Sequence, residues 1–99
     1  MIYAIDFDGT LCENKYPEIG EPRQRGINTC RQLKTKGHTL ILWTCRSGKL
    51  LAAAVEWCKA QGITFDYINE NTEEIIIKYG GDTRKIYADV YIDDRSLKI

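Results

Sequence analysis

The chain has one histidine, two prolines and no surplus of charge of either sign across its 99 residues. Fourteen acidic residues balance fourteen basic ones, so no chain-wide field draws it to nucleic acid or to an anionic membrane. A partner has to be read from a site instead. The longest apolar run, Leu50 to Val55, is far too short to span a bilayer. The N-terminus lacks a basic segment followed by a long apolar one, so a cytoplasmic protein without a membrane partner is expected. Cys12, Cys30, Cys45 and Cys58 contain no C-x-x-C pair, and His38 stands at no zinc-finger spacing. That argues against a zinc site or a disulfide framework. All four thiols are expected to be buried as small apolar side chains, and His38, just after Gly37, reads as structural. The length gives one domain over residues 1–99.

What is present is an alternation of short apolar runs with amphipathic stretches. Ile2 to Ile5 is apolar on both faces, as a central strand requires. Cys12 to Glu21 carries Pro17, Gly20 and many charges, and reads as a loop or small hairpin. Pro22 is expected to open a helix reaching Lys36, with Ile27, Cys30 and Leu33 on one face and Gly37 ending it. Thr39 to Thr44 is a second buried strand. Ser47 is the expected N-cap of a helix over Lys49 to Gln61, stopped by Gly62. A third strand is placed at Thr64 to Ile68. Asn71 with Glu74 resembles a capping pair for a short helix broken by Gly80 and Gly81, and Ala88 to Ile92 makes a fourth strand. The alternation predicts an α/β fold with a parallel sheet and right-handed crossovers.

Such sheets bind ligands beyond the carboxyl ends of their strands. The polar residues at those ends are Asp6, Asp8, Thr44, Arg46, Asp93 and Asp94, drawn from three strands. Carboxylates that converge repel one another unless a cation or protons intervene. An all-oxygen set without His or Cys suits Mg²⁺, with water and a phosphate completing its shell. Gly9 and Thr10, just past the first strand, are expected to turn backbone N–H groups toward that phosphate.

Asp6-Phe7-Asp8-Gly9-Thr10-Leu11 resembles the first motif of the haloacid dehalogenase superfamily. Leu40 to Thr44 resembles its second motif, an apolar strand ending in Thr or Ser. Lys85, eight residues before Asp93, resembles the lysine of the third, and Tyr91-Ile92-Asp93-Asp94 the acidic fourth. The resemblance runs in order from Ile2 to Asp94. It implies a three-layer Rossmann-like domain, a small parallel sheet flanked by helices. It also implies roles: Asp6 as nucleophile and metal ligand, Asp8 as general acid and base with its carbonyl on the metal, Thr44 and Lys85 on the transferring phosphoryl group. Asp93 would bind Mg²⁺, with Asp94 a further ligand or the residue that holds Asp93. Gly9, Thr10, Cys45 and Arg46 are the candidate substrate contacts, with Arg95 a further candidate cation.

Relatives with a cap domain insert it after the first motif or between the second and third, and neither position has room for one here. Asp at the second position of the first motif favours transfer of phosphate to water. The expected function is therefore a Mg²⁺-dependent phosphatase acting on a phosphorylated metabolite, nucleotide or nucleic-acid end. The alternatives are a phosphotransferase, or a catalytically inactive binding or scaffold protein. An open site and a fourth strand at the sheet edge suggest a homodimer.

Overall fold

The computed structural model describes residues 1–95. In chain order the elements are β1 (Ile2–Ile5), β2 (Cys12–Lys15), β3 (Glu18–Pro22), α1 (Gln24–Thr35), β4 (Thr39–Leu42), α2 (Gly48–Ala60), β5 (Tyr67–Ile68), α3 (Glu73–Tyr79) and β6 (Val90–Ile92). Four strands form one sheet in the order β5-β4-β1-β6, and β2 pairs with β3 as a separate hairpin. Every pairing in the larger sheet is parallel, so this is an α/β fold of Rossmann-like type, with a parallel sheet flanked by helices.

The register explains why the strand ends form one edge. Ile5 stands opposite Leu42 of β4 and Ile92 of β6. The ladder continues one residue further: Asp6 N–H donates to the Ile92 carbonyl at 2.9 Å, and Trp43 N–H to the Ile5 carbonyl at 2.9 Å. Residues 6, 43 and 93 therefore leave the sheet in one row.

Ile5, Leu40 and Leu42 join Ile27 and Cys30 of α1 and Ala54 and Cys58 of α2 in the main core, with Phe7, Leu11, Cys12 and Ile63. Fully burying such an aliphatic or aromatic side chain contributes about 1.5–3 kcal/mol. Ala4 and Ile41, on the opposite face by alternation, are fully buried too. Coverage is unequal, since α3 has seven residues and buries none of them completely.

Local chemistry moves several boundaries. Pro22 ends β3, opposite Cys12, instead of opening α1; Arg23 N–H donates to the Leu11 carbonyl at 2.8 Å and holds the chain extended there. Ser47 is the N-cap of α2 without a side-chain cap bond. Thr72, not Asn71, caps α3 by accepting from Ile75 N–H at 3.4 Å. Asn71 turns inward, donating to Asp82 at 2.8 Å and accepting from Tyr87 N–H at 2.6 Å. The fourth strand starts at Val90, because Asp89 uses its side chain to accept from Ile2 N–H at 2.7 Å. Cys12, Cys30 and Cys58 are buried as expected, but Cys45 is exposed, at the mouth of the sheet. Burial pushes the Cys30 and Cys58 thiols up to about 12. Among the described residues no helix is long and apolar enough to cross a membrane.

Candidate active site

The site begins where β1 ends. Phe7 dives into the core, leaving Asp6 and Asp8 on the other side of the chain, as extended alternation demands. A tight turn follows, in which Leu11 N–H and Thr10 N–H both donate to the Phe7 carbonyl, at 2.9 and 3.2 Å. Gly9 sits at φ +89°, and a Cβ there would lie 2.1 Å from Asp94 Oδ2. Glycine is thus required twice, for the left-handed backbone and for the approach of the Asp94 carboxylate. This contact brings the end of β6 against the loop after β1.

The expected phosphate cradle at Gly9 and Thr10 is not formed. Gly9 N–H is taken by the Cys12 carbonyl at 2.8 Å and Thr10 N–H by Phe7. The Thr10 hydroxyl is buried without a hydrogen-bond partner among the described residues.

Two cavities open over the strand ends. One of about 380 Å³ is lined by Asp6, Trp43, Thr44, Cys45, Asp93, Asp94 and Arg95. The other, of about 410 Å³, shares Asp6, Thr44, Cys45, Asp94 and Arg95 and adds Asp8 with Asn14 and Tyr16 of the hairpin. Six of the expected site residues, Asp6, Asp8, Thr44, Cys45, Asp93 and Asp94, therefore meet in one basin. Asp6 Oδ1 accepts from Phe7 N–H at 2.9 Å. Burial first, and then the negative charges of Asp94, Asp93 and Asp8, push the Asp6 carboxyl up to about 6, against the lowering effect of the Phe7 bond. Thr44 is held by its backbone N–H to Asn69 Oδ1 at 2.8 Å. Its hydroxyl oxygen accepts from Arg46 N–H at 3.2 Å, which leaves the hydroxyl proton for the cavity.

Two expected residues are placed elsewhere. Arg46 is only 2% exposed and turns inward instead of offering its charge to a ligand. Its Nε donates to Asp8 Oδ2 at 2.9 Å and its Nη2 to Asp8 Oδ1 at 2.8 Å. Nη1 reaches the Pro17 carbonyl at 3.0 Å and Nη2 the Glu18 carbonyl at 2.9 Å. A guanidinium buried so deeply needs this degree of compensation. The hydrogen bonds that Arg46 donates to Asp8 raise the Arg46 pKa, outweighing burial. Lys85 lines a third cavity of about 240 Å³ with Trp43, Arg84, Ile86, Tyr91 and Asp93, and lines neither cavity that contains Asp6. Arg95 is the cation that lines both of those. Trp43, Asn14, Tyr16 and Asn69 were not legible as site residues. Only Trp43 carried a signal, its place in the strand next to Thr44.

The donor chemistry bears on the expected Mg²⁺. Among the described residues no group of three or more His, Cys, Asp or Glu side chains is arranged to hold a metal ion, and the Asp8 carboxylate is engaged by Arg46. The expected ligands, the Asp6 and Asp93 carboxylates and the Asp8 main-chain carbonyl with Asp94 as a further ligand or the residue that holds Asp93, are thus not gathered as a ready-made carboxylate cage. Mg²⁺ does not require such a cage, since it takes one or two carboxylates and completes its octahedron with water and substrate phosphate. Asp6, beside Asp93 and Asp94, supplies hard oxygens; its pKa is raised first by burial and then by neighbouring negative charge, and only the second of these would a cation offset. The oxygen donors that line the basin are of the kind Mg²⁺ takes.

Fold and site together define an α/β protein of Rossmann-like type with an acidic basin at the carboxyl ends of a parallel sheet. A solved structure, that of the conserved protein coded by a locus from Bacteroides thetaiotaomicron, superposes with a TM-score of 0.86 at 43% sequence identity, covering 98% of this chain and 78% of that one. The chain belongs to the family of that conserved protein. No protein-family model matches the chain, and no curated protein does.

Proposed function

We propose that the chain is a Mg²⁺-dependent phosphatase of the haloacid dehalogenase type, a capless member that hydrolyses a phosphate monoester through an aspartyl-phosphate on Asp6. The observation that carries this reading is the basin itself. Asp6 stands at the end of the central strand with Thr44 beside it and Asp93 and Asp94 facing it, all lining one cavity of about 380 Å³.

In the first displacement an Asp6 oxygen forms a bond to phosphorus as the ester P–O bond breaks, and the leaving oxygen takes its proton from Asp8. In the second, water attacks phosphorus and gives its proton to Asp8, and the Asp6–phosphorus bond breaks. The Thr44 hydroxyl donates to a phosphoryl oxygen, and Arg95 supplies positive charge at the rim. Asp6, Asp93 or Asp94, and the Asp8 carbonyl would hold Mg²⁺, which when bound offsets the charge of carboxylates and phosphate.

The test separates the two aspartates. Asp6→Asn should abolish phosphate release, and Asp8→Asn should lower it by ~10²–10⁴-fold on esters with poor leaving groups. Beryllofluoride, a mimic of the aspartyl-phosphate, should bind wild type and Asp8→Asn but not Asp6→Asn. Full turnover in Asp6→Asn would sink the nucleophile assignment. One observation favours the alternative of an inactive binding protein: Lys85 lies outside the cavities of Asp6. That alternative expects binding of beryllofluoride without release of phosphate from any ester.

A further inference from the structure

We propose that Arg46 is a positioning residue that fixes the Asp8 carboxylate against the β2–β3 hairpin. The proposal rests on the phosphatase reading above. Asp8 lies in a loop after β1, and a carboxylate on two free torsions samples several rotamers. Reproducible proton transfer needs one of them. A guanidinium fork engages both oxygens in a plane and removes that freedom, and the distances of 2.9 and 2.8 Å are those of such a fork.

Arg46 is itself immobilised. The Pro17 and Glu18 carbonyls at the hairpin turn accept from it at 3.0 and 2.9 Å. The rings of Phe7 and Tyr16 lie 5.1 and 5.2 Å from its guanidinium carbon, within cation–π range. A carboxylate offers about four lone-pair sites. Arg46 uses two, so Asp8 retains sites toward the cavity it lines that can carry the proton given to the leaving oxygen and taken back from water. The same residue reaches the other proposed hydrogen-bonding group, since its backbone N–H donates to the Thr44 hydroxyl oxygen at 3.2 Å. A purely structural ion pair has no need to join the proposed proton donor to the loop that holds the proposed phosphoryl contact.

Two variants test this. Arg46→Lys keeps the buried charge but lacks the fork, and Arg46→Gly leaves a space for added guanidinium. The readout is kcat/KM, which reports the first displacement, on an alkyl phosphate against 4-nitrophenyl phosphate. Both variants should bind Mg²⁺–beryllofluoride as wild type does, because Asp6 is intact. On the alkyl ester both should lose ~10²–10⁴-fold, and on the aryl ester, whose leaving oxygen hardly needs a proton, less than ~10-fold. Guanidinium should restore part of the alkyl-ester activity of Arg46→Gly. Equal losses on the two esters, or full activity in Arg46→Lys, would overturn the positioning role and leave the phosphatase standing. A wild type that takes up no beryllofluoride and releases no phosphate overturns the phosphatase reading, and this inference with it.

Discussion

Asp6 concentrates the electrostatic conflict of the site in one side chain. Without metal, its carboxyl is pushed from 3.8 up to about 6 by burial and by the charges of Asp94, Asp93 and Asp8. Between those two values the folded chain binds this proton more tightly than the unfolded chain does. Unfolding free energy must therefore fall as pH rises through the window and level off above it. Asp6→Asn has no proton to lose. In metal-free buffer it should lack this part of the slope and be more stable than wild type at pH 7. Urea unfolding of both proteins at pH 4 and pH 7 measures the difference, and parallel profiles would count against a strained Asp6.

The elements are tied together where their ends meet. Lys34, in the last turn of α1, reaches both oxygens of Asp66 at 2.6 Å, just ahead of β5. Asp66 Oδ2 also accepts from Leu40 N–H of β4 at 2.8 Å. One carboxylate thus joins a helix and two strands. Burial raises the Asp66 pKa, but the Lys34 and Leu40 hydrogen bonds and the Lys34 charge outweigh it, so the net shift is downward. A depressed carboxyl contributes stability above its unfolded pKa and loses it as pH falls through its folded one. The pair is about a third exposed, and solvent screens it. Asp66→Asn should cost about 1 kcal/mol at neutral pH and nothing once the pH is well below the ordinary carboxylate range. Chemical unfolding at pH 7 and pH 2 decides it, since a constant difference would mean that shape, not charge, holds the junction.

For the whole molecule, a ligand held in the proposed site would add stability. A ligand that binds only the folded chain stabilises it by about 2.7 kcal/mol at 100 times its Kd, which in a domain of this size raises Tm by more than ~10 °C. Under the proposed function Mg²⁺ should raise Tm in a saturable way, and Asp93→Asn should weaken the effect. A wild-type Tm indifferent to millimolar Mg²⁺ would remove the ion from the basin. Among the described residues β6 lies at the edge of the sheet, the feature on which, with the open site, the suggestion of a homodimer rests.

The sequence by itself determined the order of elements and the row of acids. Apolar runs such as Ile2–Ile5 and Thr39–Leu42 suit central strands covered on both faces, and the polar residues that follow each run mark the strand's carboxyl end. Asp6, Thr44 and Asp93 were legible for that reason, as was Gly9, although its role is a different one. Gly9 makes room for Asp94, and its N–H is spent within the turn. Only the tertiary structure decided what Arg46, Lys85 and Asn71 do. Arg46 followed Thr44 and read as a ligand for phosphate, but whether an arginine faces solvent or a carboxylate depends on which loop folds over it. Here the hairpin, with its Pro17 and Glu18 carbonyls, closes over the guanidinium. Lys85 stood at the right spacing from Asp93, yet the path of the chain before β6 sets it in the neighbouring cavity. Asn71 read as a cap and became a buried tie to the segment at Asp82 and Tyr87. The difference is physical: hydrophobic periodicity is local and survives in one dimension, whereas the partner of a long polar side chain is chosen by distant backbone brought near only on folding.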